Sequence, residues 1–325
     1  MSTVVVTGGT GFIGQALCPV LRAAGHRVVV TTRNAGRSPS DSGVVVRTSP
    51  ELGPESDWRA AVADADVVVH LAARTHVMVD RAADPAAEYR GVNTDGTRRL
   101  AEAAAHAGAR RFVFLSTAKV NGEDSSAAPY RETDPPMPLD AYASSKIAAE
   151  RALTGIRAET GLETVVLRPP LVYGRGVRGN FLVLLKLCER ALPLPLAGIA
   201  NRRSLLYVGN LADAILRCLD APEAAGETFL LRDGEDVSTP ELVRRVAGAL
   251  GRPCRLFQVP PTALRFAARM AGREESAGRL LDTLTVDDGK IRRALAWTPP
   301  YPMAEGLRET AQWFASQARS EGFGE

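Results

Sequence analysis

The sequence predicts an α/β fold in which a doubly wound parallel sheet is joined to a smaller C-terminal domain. In the first half, short runs of apolar, mostly β-branched residues alternate with longer helical patterns. Such nearly continuous apolar runs are typical of parallel strands covered by helices on both faces. The alternation itself indicates right-handed crossovers within one sheet. The expected strands are residues 4–7, 28–32, 44–47, 67–71, 112–116 and 164–167, and the main expected helices are 13–24, 86–107 and 141–158.

A change of composition divides the chain after residue 168. From there on, prolines and glycines become frequent, and helical patterns are joined by irregular segments. The sequence therefore predicts a first domain over residues 1–168 and a smaller second domain over residues 169–325, partly interleaved with the first.

The overall composition is that of an ordinary globular protein, with 325 residues of which 45% are hydrophobic. A net charge of +3 provides no electrostatic footprint for nucleic acid. The four cysteines lie far apart, and no His, Cys and carboxylate cluster suggests a metal site. No stretch approaches the ~18 apolar residues that span a membrane, and a signal-peptide pattern is missing at the N-terminus. We therefore expect a cytoplasmic protein without a membrane span, a metal or a nucleic-acid partner.

A glycine-rich turn joins the first expected strand to the first expected helix. Gly8, Gly11 and Gly14 recur at three-residue spacing, and Phe12 and Ile13 open the helix. A pyrophosphate can approach the backbone of such a turn only where no Cβ intervenes, and the helix N-terminus then presents N–H groups to the anion. These five residues predict a dinucleotide-binding site, and residues 1–168 a domain of the Rossmann type.

The end of the second expected strand bears on which dinucleotide binds. NAD-selective sites usually place Asp or Glu there to bond the ribose 2′-hydroxyl. This strand ends instead in Thr32 followed by Arg33, with Arg37 close behind. A guanidinium at this position suits the 2′-phosphate of NADP. Arg33 therefore favours NADP, but NAD stays open because the same side chain could stack on adenine or face solvent.

Tyr142 and Lys146 form a candidate catalytic pair. They lie four residues apart in an expected helix, so both project from one face. The pKa of a free tyrosine is near ~10, and an adjacent ammonium lowers it towards the range in which a phenolate acts as a base. Upstream, an expected buried strand ends in Ser116 and Thr117, at the sheet edge where doubly wound folds bind ligands. We expect Tyr142 to be the base, Lys146 to keep it ionised and to bind the nicotinamide ribose, and Thr117 to bind the reacting oxygen.

Several segments together resemble the extended short-chain dehydrogenases/reductases, in particular the NAD-dependent epimerase/dehydratase family that includes UDP-glucose 4-epimerase. They are residues 7–14 (TGGTGFIG), 69–73 (VHLAA), 92–97 (VNTDGT), 116–117 (ST), the Tyr142–Lys146 pair and 167–174 (LRPPLVYG). Residues 119–123 (KVNGE) are similar to a branch found among bacterial surface-polysaccharide enzymes. The resemblance covers nearly the whole chain. It implies an NAD(P)-dependent enzyme whose residues 169–325 mainly bind a nucleotide sugar, UDP-linked, and a homodimer through helices 86–107 and 141–158.

The resemblance also implies roles for single residues. Those implied at the cofactor, besides the glycine turn, Arg33 and the catalytic pair, are Glu51, Leu52, Leu71, Ala72, Ala73, Asn93, Ser116 and Pro169. Glu51 and Leu52 fall where the family has an acid-aliphatic pair beside adenine, and Asn93 would brace the central helix. Those implied at the substrate are Thr117, Lys119, Asn180, Arg203 and Arg279, with Asn180, Arg203 and Arg279 at the diphosphate.

One departure from the family pattern bears on the reaction. Sugar dehydratases of the family follow the threonine with Asp-Glu, whereas Thr117 is followed by Ala118 and Lys119. Dehydration is therefore not expected, and the first interpretation is a UDP-sugar 4-epimerase acting at C4 of the hexose. An NADPH-dependent reductase of a 4-keto-6-deoxy nucleotide sugar would use the same residues and stays open. A non-catalytic NADP-binding regulator is a further alternative, against which the presence of Thr117, Tyr142 and Lys146 argues.

Overall fold

The computed structural model describes residues 1–34, 43–75, 84–272 and 274–321, and a parallel sheet lies at its centre. The strands in this part of the chain are β1 (Thr3–Thr7), β2 (Arg27–Thr32), β3 (Val45–Thr48), β4 (Val67–His70), β5 (Arg111–Leu115), β6 (Glu163–Arg168), β7 (Leu171–Tyr173), β8 (Arg203–Tyr207), β9 (Thr228–Leu230) and β10 (Asp236–Val237). The central sheet has the order β3-β2-β1-β4-β5-β6-β9, and all its neighbouring strands are parallel. The predicted α/β fold is confirmed, and each of the six predicted strands matches β1 to β6 to within one residue at either end.

The helices of the described chain are α1 (Phe12–Ala23), α2 (Pro85–Tyr89), α3 (Gly96–His106), α4 (Ala141–Thr160), α5 (Gly179–Glu189), α6 (Val208–Asp220), α7 (Thr239–Ala249), α8 (Pro261–Met270), α9 (Glu274–Leu281), α10 (Gly289–Leu295) and α11 (Met303–Glu321). The predicted helix 86–107 exists as a continuous run of α2, a π-helical segment at Arg90–Asp95 and α3. None of the helices that the structure describes is long and apolar enough to cross a bilayer.

Helices cover the central sheet on both faces because its strands are apolar on both. In β1, Val4 and Val6 point into a core shared with α1 and α6, while Val5 between them points into a core shared with α3 and α4. This is the alternation of side chains that a strand imposes. All three valines are fully buried, and each buried side chain of this kind stabilises the fold by ~1.5–3 kcal/mol.

The second half of the chain contributes to both parts of the molecule. β9 extends the central sheet beside β6, with Phe229 opposite Leu167, and α6 packs on α1. A small sheet of order β10-β8-β7 forms a separate core with α5, α7 and α11. Residues 208–230 therefore lie with the Rossmann part, although they follow residue 168 in sequence. The functional division of the chain at residue 168 stays a prediction.

The register of the central strands brings the predicted site to one edge of the sheet. Thr7 lies opposite His70, His70 opposite Phe114, and Phe114 opposite Val166. The chain leaves this edge in the glycine turn after β1, in the loop after β4, at Ser116 after β5 and at Pro169 after β6. The carboxyl ends of these strands, where open α/β sheets bind ligands, therefore meet in one place.

Candidate active site

The glycine turn closes so tightly that side chains are excluded from its backbone. Gly8 has a φ of +70°, and a Cβ at this position would lie 2.8 Å from the backbone nitrogen of Ala72. A Cβ on Gly14 would lie 2.4 Å from the Cα of Gly9, so α1 can pack on the turn only with glycine there. Gly11 is the N-cap of α1, and no side chain of the described residues caps the helix. The first-turn amides of α1 thus have no helical partners and are suited to bind an anion.

Phe12 and Ile13 contribute to this turn mainly through their backbone. Both side chains are half-buried, and both pack against the core formed by the small sheet. The first turn of α1 therefore joins the dinucleotide part of the molecule to the second part.

A groove of about 530 Å³ runs from the glycine turn along the ends of β2, β3 and β4. The predicted cofactor residues that line it are Gly8, Gly11, Arg33, Glu51, Leu52, Leu71, Ala72 and Ala73. The sequence reasoning did not assign several further lining residues, among them Thr7, Thr31, Ser49, Trp58 and Arg74. Thr7, Thr31, Ser49 and Arg74 lie within a few residues of the carboxyl end of a strand, which could have identified them once the strand register was known. Trp58 lies ten residues beyond β3 and has no such signal.

Arg33 and Glu51 face each other at the rim of this groove. Nη1 of Arg33 donates to Oε1 of Glu51 at 2.6 Å, and the two side chains are 69% and 77% exposed. An ion pair this exposed contributes at most about 1 kcal/mol. The hydroxyl of Thr32 bonds the backbone N–H and carbonyl of Asn34. Arg37 lies outside the described residues. The ribose end of the groove therefore has a cation and an anion that bind each other.

Tyr142 lies in the first turn of α4, two residues after Asp140, the N-cap of the helix. The carboxylate of Asp140 accepts the backbone N–H of Ala143 at 2.6 Å, which caps α4. The Tyr142 ring is half-buried and meets the ring of Tyr89 edge-on, with 6.2 Å between centroids. Burial raises the pKa of Tyr142 above its ordinary value, and the neighbouring Asp140 and Tyr89 raise it further. Tyr142 alone would therefore stay protonated at neutral pH, and it needs positive charge nearby to act as a base.

Lys146 is the buried cation of the site. Its Nζ donates to the backbone carbonyl of Leu115 at 2.8 Å and lies 4.4 Å from the centroid of the Phe114 ring. Burial lowers the pKa of Lys146 to about 7, and the carboxylate of Glu150 opposes this shift. The sequence led us to expect this ammonium beside the phenol of Tyr142. Its described hydrogen bond goes instead to the end of β5, because a buried ammonium needs an acceptor and the Leu115 carbonyl supplies one.

Thr117 lies two residues beyond the end of β5 and is almost completely buried. Its backbone is extended, and its hydroxyl accepts the N–H of Lys119 at 3.3 Å. The hydroxyl hydrogen of Thr117 is therefore available to donate to a ligand oxygen.

Ser116 belongs to a buried polar network behind the site. Its hydroxyl donates to the carboxylate of Glu150, which also accepts Nε and Nη2 of Arg168, and Arg168 donates further to Asn121. The side chains of Glu150 and Arg168 are only 8% and 7% exposed. The Ser116 hydroxyl is thus used to satisfy a buried carboxylate, and its contact with the cofactor stays a prediction.

Asn93 lies buried in the π-helical segment and links two parts of the site. Its Nδ2 donates to the Arg74 carbonyl and to the Ser145 hydroxyl, each at 3.0 Å, and its Oδ1 accepts the Arg74 N–H at 2.8 Å. The side chain therefore ties the loop after β4 to α4, which carries Tyr142. Segments of π-helix are often found at functional sites, where they redirect one side chain in this way.

Three further predicted residues, Lys119, Arg203 and Pro169, have polar partners that the structure describes. The ammonium of Lys119 lies 2.5 Å from Glu123 and 2.7 Å from Asp140. Arg203, in β8, donates from Nη1 to the Asp282 carbonyl at 3.1 Å, and burial lowers its pKa while Asp282 and Glu123 oppose that shift. Pro169 is buried, and its carbonyl accepts the Ala118 N–H at 2.9 Å.

The two remaining predicted substrate residues lie on helices of the second half of the chain. Asn180 is exposed at the second position of α5, and Arg279 falls in α9 with its side chain outside the described part. Within the described residues, no group of three or more His, Cys, Asp or Glu side chains could hold a metal ion. The chemistry of the edge is therefore that of an anion-binding turn, a phenol, a hydroxyl and an ammonium.

Comparison with known proteins agrees with this geometry. The model of the NAD dependent epimerase/dehydratase family matches residues 4–231. The chain is 38% identical to a UDP-glucose 4-epimerase of Vibrio cholerae, covering 96% of this chain and 95% of that protein. It is 30% identical to a UDP-glucose 4-epimerase of Mycolicibacterium smegmatis, covering 97% and 99%. The solved UDP-glucose 4-epimerase of Thermus thermophilus in complex with NAD superposes with a TM-score of 0.78 at 28% identity, covering 96% and 99%.

The chain belongs to the NAD-dependent epimerase/dehydratase family. This confirms the predicted class, an NAD(P)-dependent enzyme of the extended short-chain dehydrogenase type.

Proposed function

We propose that the chain is a UDP-sugar 4-epimerase that inverts C4 of a UDP-linked hexose and keeps its NAD from one turnover to the next. The observation that carries this proposal is the meeting of Thr117, Tyr142 and Lys146 with the glycine turn at one sheet edge. Similarity to UDP-glucose 4-epimerases over nearly the full length of both chains supports the choice of sugar nucleotide.

The groove along β2 to β4 fits a dinucleotide. Gly8 and Gly14 leave the turn free of Cβ atoms, and the first-turn amides of α1 suit a pyrophosphate. When bound, NAD supplies the acceptor and donor of the hydride of C4. The Arg33–Glu51 ion pair supports NAD over NADP, because a 2′-phosphate on Arg33 would have to displace a carboxylate. The sequence favoured NADP through Arg33; because of this ion pair, we propose NAD instead.

The residues of the edge divide the chemistry at C4 between them. Tyr142, as a phenolate, accepts the proton of the sugar 4-hydroxyl while the hydrogen on C4 leaves with its electron pair as hydride. Tyr142 returns the proton when the 4-keto sugar is reduced on its other face. Thr117 donates its hydroxyl hydrogen to the same oxygen. Lys146, a buried cation four residues after Tyr142, stabilises the phenolate.

On the substrate side, the chain offers positive charge for a diphosphate. Arg203 carries a half-buried guanidinium, which can bind phosphate oxygens through two parallel hydrogen bonds. Asn180 and Arg279 are further diphosphate residues in this proposal. A homodimer through the helices of 86–107 and 141–158 also stays a prediction.

Two other reactions receive less support from the site. Dehydration needs a free acid and base, but Glu123 and Asp140, two carboxylates beside the turn that follows Thr117, both bind Lys119. Reduction of a 4-keto-6-deoxy nucleotide sugar by NADPH would use Thr117, Tyr142 and Lys146 in the same way. The cofactor balance of the reaction separates it from epimerisation.

The test is to incubate the protein as purified, without added cofactor, with UDP-glucose, UDP-galactose and their N-acetylamino counterparts. Proton NMR of the anomeric signals would show the 4-epimers approaching equilibrium, and denaturation of the protein would release NAD. Tyr142→Phe should lower the rate by about 10²-fold or more, since it removes the base. The matched control Tyr301→Phe, at a 39% exposed tyrosine outside the site, should retain the parent rate.

Two outcomes would contradict the proposal. Stoichiometric consumption of NADPH with a 4-keto-6-deoxy nucleotide sugar, without interconversion of epimers, would identify a reductase. Tight binding of NADP without turnover of any sugar nucleotide would identify a regulator.

A further inference from the structure

Lys119 lies in the turn that follows Thr117, and it contacts the start of α4, the helix that carries Tyr142. It lies in a single 3₁₀ turn, Ala118–Val120, that begins directly after Thr117. Its side chain is only 18% exposed, and its ammonium contacts two carboxylates, Glu123 at 2.5 Å and Asp140 at 2.7 Å. A lysine this enclosed is held in one position, unlike a solvated surface lysine.

The two oxygens of Asp140 have different partners. Oδ1 accepts the N–H of Ala143 and so caps α4, while Oδ2 accepts the ammonium of Lys119. The carboxylate stands two residues before Tyr142, and its negative charge is among the causes that raise the pKa of the phenol. Whatever neutralises Asp140 therefore makes the phenolate of Tyr142 easier to form.

Other charged and titratable groups surround this cluster. Glu123 acts on Arg203 of β8 and on Tyr130. Tyr89 of α2 contributes to the raised pKa of Tyr142, and the guanidinium carbon of Arg74 lies 5.4 Å from the centroid of the Tyr89 ring. Lys146 lies one turn further along α4 with its ammonium bonded to β5. Asp140 is thus a carboxylate that acts on Tyr142, and Lys119 is a cation bonded to it.

We propose that Lys119 is a positioning residue that holds the Asp140 cap at the start of α4 and neutralises its charge, so that Tyr142 can ionise at working pH. Through the same turn, Lys119 ties α4 to Thr117, whose hydroxyl accepts the Lys119 N–H. This role rests on the proposed function of Tyr142 as the base, and it is independent of which sugar is the substrate.

Three variants test the charge relation with opposite expected signs. Lys119→Met removes the ammonium from the Asp140 carboxylate and should raise the apparent pKa of Tyr142 by about one pH unit. Asp140→Asn keeps a good N-cap but removes the charge, so it should shift the pKa downwards by a similar amount. In the double variant, the second change removes the charge that the first exposed, and the pKa should return to within about 0.3 units of that of the parent.

Two readouts separate this inference from the proposed function. One is the absorbance change of tyrosine ionisation in the NAD-loaded protein, taken as a difference from the same variant carrying Tyr142→Phe, which needs no sugar turnover. The other is the pH dependence of kcat for the epimerase reaction. Lys186→Met, at an exposed lysine in α5, is the matched control and should move neither readout.

A structural role alone would give a different pattern. If Lys119→Met leaves the ionisation of Tyr142 within 0.3 units of the parent, or if Asp140→Asn fails to reverse its shift, the inference is overturned. If thermal unfolding shows that Lys119→Met is poorly folded, Asp140→Asn still tests the role by itself. An unchanged or higher pKa of Tyr142 in Asp140→Asn would contradict the role. A predicted shift in absorbance without sugar turnover would support the role of Lys119 and count against the epimerase.

Discussion

Replacing Glu150 by glutamine would leave the guanidinium of Arg168 buried without its counter-ion. Arg168 donates to both carboxylate oxygens, at 3.1 Å and 2.5 Å, and both side chains are less than 10% exposed. Removing one partner of a buried ion pair costs about 3–5 kcal/mol, because the remaining charge stays desolvated. Glutamine keeps the size of the side chain and one acceptor oxygen, so we expect the lower end, about 3 kcal/mol. In a chain of this length, that corresponds to a fall in Tm of roughly 4 °C.

The assay is urea denaturation of the purified variant followed by circular dichroism, with calorimetry for the Tm. Glu159→Gln, at an exposed glutamate on the same helix, is the matched control and should stay within about 0.5 kcal/mol of the parent. The double variant Glu150→Gln/Arg168→Met removes both charges and should be less destabilised than the sum of the single variants. A Glu150→Gln protein within 1 kcal/mol of the parent, or strict additivity in the double variant, would refute the argument from burial.

Three further predictions concern the cofactor and the catalytic lysine. Gly8→Ala would put a Cβ 2.8 Å from the Ala72 nitrogen at a φ of +70°, and should weaken NAD binding at least about tenfold by calorimetry, whereas Gly155→Ala, with open space around it, should not. Glu51→Gln releases Arg33 and should raise the affinity for NADP relative to NAD by up to about fivefold, because one exposed ion pair contributes at most about 1 kcal/mol. An unchanged ratio of the two affinities would show that Arg33 does not face the 2′-position. Lys146→Met should stabilise the cofactor-free protein most below pH 7, where the parent bears the full cost of its buried ammonium. That advantage should shrink as the pH rises from about 7, the folded pKa of Lys146, towards its unfolded value near ~10.4, since the folded parent then loses the proton that the unfolded chain retains; unfolding at pH 6 and pH 9.5 measures it.

The strands and the order of the motifs could be predicted because both are local properties. An apolar run such as Val67–His70 identifies a buried parallel strand, and a glycine turn after β1 identifies the dinucleotide edge. The edge strand β9 was missed for the opposite reason. It has only three residues and joins the sheet after a separation of about sixty residues from β6, so its own sequence carries almost no signal.

The side-chain partners in the site were harder to predict than its location. Arg33 was identified as a residue of the ribose end, but its pairing with Glu51 depends on how β2 and β3 end side by side. Ser116 was placed correctly at the end of β5, yet its hydroxyl bonds Glu150, which becomes its neighbour only when α4 packs on the sheet. Position along a strand is encoded in the pattern, whereas the choice among several possible partners is made by packing.

The arrangement of α4 shows what the Tyr-x-x-x-Lys spacing leaves out. Lys146 and Glu150 recur at four-residue spacing after Tyr142 and therefore share its helix face. Each has a partner off the helix, the Leu115 carbonyl for Lys146 and Arg168 for Glu150. Asp140, at the start of the same helix, is bonded to Lys119. Tyr142 lies between Asp140 and Lys146 on this helix, so its position depends in part on the contact between Asp140 and Lys119, neither of which accepts or donates a proton in the proposed reaction. Changes at such residues should therefore alter the ionisation of Tyr142 without touching it.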